Sequence, residues 1–285
     1  MTKTILVTGG TGFIGRNLVE HFQNQATVLS PSHRQLDLLS QENTNKYFKD
    51  HEIDYVIHCA SIGVSRGIQK TNNILEKNVR MYLNLAENTH QFKRLINLGS
   101  GAEYDKSRPL KSVEEAAFGY RIPLDDYGFS KFIISKLIEK SENSVCLRLF
   151  GVFGKYEDVE TRFISNAILK NFMRLPIYIN QDAIFDYLYI NDLMKIIPYF
   201  FDTPLKYKAY NLTPGKPIDL GAIATLINAY STHKSEVLVK KPGLNNEYTG
   251  NNSQLMELIG DFSFTPISLA IQDLMEFYKT QGALP

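Results

Sequence analysis

The chain has 285 residues, 44% of them hydrophobic, which suits one large domain or one domain with a smaller annex around an ordinary apolar core. Its formal net charge of +1 provides no whole-chain attraction for nucleic acid or an acidic membrane surface. No apolar run approaches the roughly 20 residues that cross a bilayer, and Met1-Thr2-Lys3-Thr4 leads into Ile5-Leu6-Val7 without a signal-peptide pattern, so a soluble cytoplasmic protein is expected.

Thr4 to Thr8 reads as a buried strand, followed at once by Gly9-Gly10-Thr11-Gly12-Phe13-Ile14-Gly15 and a helix from about Phe13 through Phe22. Glycines at 9, 12 and 15 permit a tight turn, backbone approach to a pyrophosphate, and close contact between helix and strand. The helix N-terminus then offers free N–H groups to phosphate oxygens. A glycine cluster placed between a first strand and a helix predicts a dinucleotide site, with contacts at Gly9, Thr11, Gly12, Phe13, Ile14 and Gly15.

The alternation continues with a strand at Ala26 to Leu29, a helix at Gln41 to Asp50 and a strand at Tyr55 to His58. A long helix is expected from Thr71 to Thr89, with Ile74, Val79, Leu83 and Ala86 inward, and further strands at Leu95 to Leu98 and Val145 to Leu149. This order predicts an α/β fold with a doubly wound parallel sheet, its ligand crevice at the strands' C-terminal ends, near Gly9, Ser30, Ala60, Ser100 and Phe150. Cys59 and Cys146 each fall in a strand-like run and read as reduced core thiols rather than a disulfide or metal site. The second strand ends in Ser30-Pro31-Ser32-His33-Arg34, with no carboxylate before Asp37. An acid there would bind a 2′-hydroxyl, whereas Ser32 and Arg34 suit a 2′-phosphate, so NADP(H) is favoured over NAD.

Tyr127-Gly128-Phe129-Ser130-Lys131 opens a further helix, which puts the phenol and the ammonium one turn apart on one face. A nearby cation favours a phenolate, and a tyrosine so placed can exchange a proton with a carbonyl or carbinol oxygen. The same spacing recurs at Tyr230 and Lys234, so the pair gains meaning only from its surroundings. From Lys155 the alternation breaks. Helices are expected at about Thr161 to Met173, from a cap at Asp192 to Phe201 with a bend at Pro198, and at Pro217 to Tyr230, Asn251 to Ile259 and Thr265 to Lys279. Strands are expected at Pro176 to Ile179, Phe185 to Ile190 and Tyr207 to Leu212.

With Gly9, Gly12 and Gly15, then Ser100, then Tyr127 and Lys131 in this order, the chain resembles the extended short-chain dehydrogenase/reductases. More narrowly it resembles the nucleotide-sugar epimerases, dehydratases and reductases, including the GDP-fucose synthase and dTDP-4-dehydrorhamnose reductase types. The resemblance implies a Ser100–Tyr127–Lys131 triad, in which Tyr127 gives the proton, Lys131 tunes it and holds the nicotinamide ribose, and Ser100 orients the substrate oxygen. It implies further cofactor contacts at Asp37, Leu38, Ala60, Ser61, Asn78, Leu98, Phe150 and Val152, besides Ser32 and Arg34. It divides the chain into a dinucleotide-binding part, residues 1–154 completed by about 183–212, and a substrate-binding part, residues 155–182 and 213–285. A homodimer is a further implication.

Departures from the family pattern narrow the reaction. Dehydratases carry an Asp-Glu pair directly after the serine, where this chain has Gly101-Ala102. Bifunctional relatives carry a cysteine two residues beyond it, where Ala102 stands. Glu103 and Tyr104 follow as the nearest polar side chains. An arginine commonly precedes the Asp186 position to hold the sugar diphosphate, but this chain has Phe185, and Lys155, Arg162, Lys170 and Arg174 are the nearby cations. Substrate contacts are therefore expected at Ser100, Ala102, Tyr127 and Arg162. The resemblance implies NADP(H)-dependent reduction of a 4-keto (6-deoxy) nucleotide sugar. A C4-epimerase with bound NAD and a non-catalytic NADP-binding sensor are the alternatives.

Overall fold

A computed structural model describes residues 2–63 and 72–280. The first half runs β1 (Thr4–Thr8), α1 (Phe13–Phe22), β2 (Thr27–Leu29), α2 (Gln41–Asp50), β3 (Tyr55–His58), α3 (Ile74–Ala86), β4 (Arg94–Ser100), β5 (Leu110–Val113) and α4 (Asp126–Ile138). It continues through β6 (Ser144–Leu149), β7 (Gly151–Phe153), α5 (Phe163–Phe172), β8 (Ile177–Asp182), β9 (Ile184–Phe185), β10 (Tyr187–Tyr189), α6 (Ile190–Ile196) and β11 (Ala209–Leu212). The last elements are β12 (Ile218–Asp219), α7 (Leu220–Tyr230), β13 (Val237–Leu244), β14 (Tyr248–Gly250), α8 (Ser253–Ile259) and α9 (Ile267–Thr280).

The six strands β11-β6-β4-β3-β1-β2 form one all-parallel sheet. Apart from the edge strand β2, which is exposed or half-buried, its strands are buried on both faces, as a sheet covered by helices requires. Ile5, Val7, Ile57 and Leu147 pack with Leu18 and Phe22 of α1 and Leu193 of α6. The alternate residues Leu6, Val56, Leu95 and Cys146 pack with Phe48, Met81, Leu85 and Ile134 of α2, α3 and α4. The period-2 alternation of the strands thus sorts side chains between two helical layers. The chain enters at β1, moves outward to β2 and crosses back to β3, so the topological switch lies between the C-terminal ends of β1 and β3, where the sequence placed the crevice.

Several boundaries differ from expectation for local reasons. The inward stripe of α3 is Ile74, Asn78, Met81, Tyr82 and Leu85, whereas Leu83 is exposed; a helix stripe containing a polar Asn78 is not visible as an apolar pattern. The start of this helix at Thr71 lies outside the described residues. Asp192 does not cap its helix: it sits within the first turn of α6, and its carboxylate accepts from the Thr265 backbone N–H (2.8 Å) and hydroxyl (2.7 Å). At Pro198 the helix tightens into a 3₁₀ turn over Ile197–Phe200, since proline cannot supply the next helical N–H.

Away from the main sheet, α5 and α7 pack on β8 of the parallel pair β8–β13, and α9 packs on both helices. A four-stranded sheet, β12-β9-β14-β5, joins segments distant in sequence. Within it β14 runs parallel to both β9 and β5, which carries the C-terminal segment to the turn that follows β4.

Candidate active site

The glycine turn after β1 is shaped by close contacts. Gly9 has φ of +68°, and a Cβ there would lie 2.8 Å from the Ala60 backbone at the end of β3. A Cβ at Gly15 would lie 2.2 Å from the Gly9 carbonyl oxygen, so α1 could not rest this close on β1. Gly12 caps α1 without any side-chain hydrogen bond, and no acidic residue lies in the first turn. The first-turn N–H groups of Phe13, Ile14 and Gly15 therefore face the crevice mouth without a side-chain acceptor. Orphan donors, a helix N-terminus and a side-chain-free turn fit a dinucleotide pyrophosphate. Thr8 fixes the neighbouring strand end: its hydroxyl pairs with His58 Nδ1 (2.8 Å) and accepts from the Ala60 N–H (3.3 Å). Burial, and then the Lys131 charge, push the His58 imidazole down to about 3, so it is a neutral core group.

Across the crevice, Asp125 caps α4 by accepting from the Gly128 N–H at 3.0 Å. Gly128 lets the helix approach the turn after β4, since a Cβ there would lie 2.9 Å from the Ala102 carbonyl oxygen. Lys131 is 4% exposed, and its Nζ donates to the Leu98 carbonyl at 2.8 Å and lies 5.8 Å from the Tyr127 ring centroid. The ammonium is thus fixed between β4 and the phenol, while Tyr127 is half-buried at the crevice. Asn78 ties this helix to the loop after β3: it exchanges hydrogen bonds with the Ile62 backbone (2.7 and 2.9 Å) and donates to Ser130 Oγ (3.1 Å). Ser130 in turn donates to the Tyr127 carbonyl at 2.7 Å.

Ser100 ends β4 and opens a one-turn 3₁₀ helix over Gly101–Tyr104. Its Oγ accepts from the Ala102 N–H (3.1 Å), and its own N–H donates to Glu103 Oε1 (2.9 Å). Glu103 is wholly buried and paired with Arg148 Nε at 2.7 Å, and Ser135 Oγ also donates to it at 2.6 Å. Arg148 Nη1 donates to the Tyr104 hydroxyl (2.8 Å), which donates to Asn211 Oδ1 (2.7 Å). Glu103 and Tyr104 are therefore committed to a buried network beneath the serine. The turn also explains Gly101: a Cβ there would lie 2.7 Å from the Phe150 ring and 2.8 Å from the Tyr248 hydroxyl. The acid that dehydratases carry at this position would collide with both.

The remaining expected residues scatter by depth. Ser32 and Arg34 are exposed beyond β2, with Ser32 Oγ donating to Gln35 Oε1 at 2.8 Å. Asp37 accepts from the Leu39 N–H at 3.0 Å, and Leu38 is buried, its carbonyl held by Asn84 at 2.7 Å. Ala60 and Val152 are half-buried and Ser61 is exposed, while Leu98, Ala102 and Phe150 are buried. Arg162 is the exposed cap residue of α5, away from the Ser100 turn in sequence, and its charge acts on Glu157 and Tyr187. Lys155 pairs with Glu20 of α1 at 2.7 Å, which turns it toward that helix. Phe185 lies in an aromatic series with Tyr187 (5.4 Å between centroids) and Tyr248 (6.1 Å). The second Tyr–Lys pair is structural: Lys234 Nζ donates to the Asn228 and Ser231 carbonyls at the end of α7.

Tyr248 is the residue that pattern reading missed. Its hydroxyl lies 3.5 Å from Ser100 Oγ although 148 positions separate the two. It sits on a three-residue strand with no alternation to read, and the buried Glu103–Arg148 pair was equally invisible.

Residues 5–213 match the profile described as the NAD dependent epimerase/dehydratase family. The chain is similar to GDP-L-colitose synthase of Yersinia pseudotuberculosis, with 25% identity over 219 residues, 68% of this chain and 71% of that protein. Among solved structures it is similar to an NADP-bound GDP-L-fucose synthetase from Naegleria fowleri, with a TM-score of 0.85 and 16% identity across 99% of this chain and 94% of that one. A GDP-mannoheptose C4 reductase from Campylobacter jejuni with NADP bound has a TM-score of 0.82 and 18% identity, covering 98% of both chains.

Proposed function

Because the chain belongs to the NAD-dependent epimerase/dehydratase family, we propose that it is an NADP(H)-dependent reductase of a 4-keto, 6-deoxy nucleotide sugar. The observation that carries this reading is the turn after Ser100. Gly101 and Ala102 bear no acid or base, and Glu103, the one carboxylate there, is consumed by Arg148. Proton donation to a carbonyl oxygen is what this turn and α4 can support; an acid–base pair for moving carbon-bound protons is missing from the turn.

The cofactor, when bound, supplies the hydride. The first-turn N–H groups of α1 would hold the pyrophosphate, and the exposed Arg34 would supply positive charge to the 2′-phosphate, with Ser32 beside it. Lys131, anchored on the Leu98 carbonyl, holds the nicotinamide ribose and keeps positive charge beside the phenol. Tyr127 passes its proton to the C4 oxygen as charge develops there, and Ser100 donates a hydrogen bond to the same oxygen. Residues 1–154 with 183–212 hold the dinucleotide, and residues 155–182 with 213–285 close over the sugar nucleotide. The names of the similar proteins, GDP-sugar synthases and a C4 reductase, support a nucleotide-sugar substrate.

The test is incubation with NADPH or NADH and a panel of 4-keto-6-deoxy nucleotide sugars in deuterated water, with products read by NMR and mass. Reduction at C4, faster with NADPH and without deuterium at C3 or C5, is expected. Deuterium at either carbon would reveal an acid–base pair and overturn the simple-reductase reading. Turnover between C4 epimers without added cofactor would instead identify a 4-epimerase, and cofactor binding without any turnover a sensor.

A further inference from the structure

Ser100 carries one hydroxyl proton and two lone pairs, so what fills the lone pairs decides where the proton goes. One lone pair receives the Ala102 N–H at 3.1 Å. The only other protein group within hydrogen-bonding reach of Oγ, among the described residues, is the Tyr248 hydroxyl at 3.5 Å. At that length the contact is long for two hydroxyls, as catalytic hydrogen bonds commonly are before a substrate engages them.

We propose that Tyr248 is a positioning residue for the reductase: its hydroxyl donates to Ser100 Oγ and so dedicates the serine's single proton to the substrate carbonyl oxygen. This rests on the reductase reading and adds to it a residue from the C-terminal segment. The phenol is held for the task. Its ring lies 5.2 Å from Phe150 and 6.1 Å from Phe185, centroid to centroid, and neither neighbour offers the hydroxyl a polar partner. Its strand is hydrogen-bonded on one side to β5 and on the other to β9, so the ring cannot swing freely. Two glycines open the space: a Cβ at Gly101 would lie 2.8 Å from the Tyr248 hydroxyl, and one at Gly250 would lie 2.6 Å from the Phe150 ring. Burial raises the Tyr248 phenol well above its ordinary value, so it remains a protonated donor at any working pH. With Ala102 and Tyr248 both donating, Ser100 has no acceptor left among the described residues to attract its own proton, which is free for the substrate.

In an enzyme that reduces a member of the keto-sugar panel, Tyr248→Phe should lower kcat roughly 3- to 10-fold, the worth of one neutral hydrogen bond. NADPH affinity and thermal stability should hardly change. Added to Ser100→Ala, the same substitution should cost nothing more, because the hydroxyl acts only through the serine. An unchanged kcat, the same fold loss in both backgrounds, or a loss as large as that of Ser100→Ala would overturn the proposal. The last result would mean that Tyr248 itself meets the substrate. A readout without substrate separates this from the reductase assignment. The 13Cζ resonance of Tyr248, assigned by its loss in Tyr248→Phe, should shift in Ser100→Ala of the NADP-bound protein. A resonance indifferent to the serine would overturn the proposal even where no sugar is reduced. A shifted resonance with no turnover on the panel would uphold the contact and refute the reductase reading alone.

Discussion

Tyr127 and Tyr230 each precede a lysine by four residues, yet their surroundings set them apart. Lys131 is buried, anchored on the Leu98 carbonyl and aligned with the Tyr127 ring, whereas Lys234 lies beyond α7 and donates back to the carbonyls at its end. Tyr127→Phe removes the hydroxyl with little effect on packing, so reduction of the keto-sugar should fall by roughly 10²–10⁴-fold while cofactor binding survives. Tyr230→Phe should leave turnover near wild type. Steady-state kinetics on both variants checks the assignment, and near-normal turnover in Tyr127→Phe would remove the phenol from the mechanism. At the same scale Glu103 shows that a carboxylate three residues from Ser100, the serine proposed to orient the substrate oxygen, need not do proton chemistry. Arg148 and Ser135 hold it, and its service to the site is through the Ser100 backbone N–H.

Elements decide how firmly that serine is held. The short turn after β4 rests on β6 through the Glu103–Arg148 pair, and the Arg148 guanidinium also lies over the Phe118 ring (4.1 Å to the centroid) with the Tyr104 ring at 5.0 Å. Arg148→Met keeps the approximate volume but strands a buried carboxylate, which should cost about 3–5 kcal/mol of stability. Urea unfolding measures this directly. A loss under about 1 kcal/mol would mean that water or another cation reaches Glu103. The strands β5 and β14 belong to this scale as well. Both are short; β5 pairs with β14, and β14 also with β9, rather than with neighbours in sequence, so neither produced a readable strand pattern.

The stability of the whole molecule carries a pH signature from a buried carboxyl, Glu157. Burial pushes Glu157 up to about 7, opposed by the 2.6 Å hydrogen bond from Ser165 Oγ, from an ordinary 4.5. A group whose folded pKa lies above its unfolded value favours the fold most below the unfolded pKa and loses that advantage as pH rises through the folded one. Here the loss runs between pH 4.5 and 7 and amounts to about 3 kcal/mol. Glu157→Gln keeps an acceptor for Ser165 and cannot ionise. It should therefore be more stable than wild type above pH 7, and the gap should close toward pH 4.5 in thermal melts across that range. A gap independent of pH would show that Glu157 stays solvated when charged.

What the sequence by itself determined was local. Gly9, Gly12 and Gly15 between strand and helix, the apolar runs of β1, β3 and β6, and the Tyr127–Lys131 turn are set within a few residues by backbone sterics and helical spacing. From these the parallel sheet and its crevice could be read in chain order. Tertiary structure alone decided which side chains meet across the crevice. Arg148 reaches Glu103 across 45 positions and Tyr248 reaches Ser100 across 148. Such contacts depend on strand register and on how the C-terminal segment packs back. Neither leaves a periodic trace, because period reports the face a residue presents and not the partner it finds there.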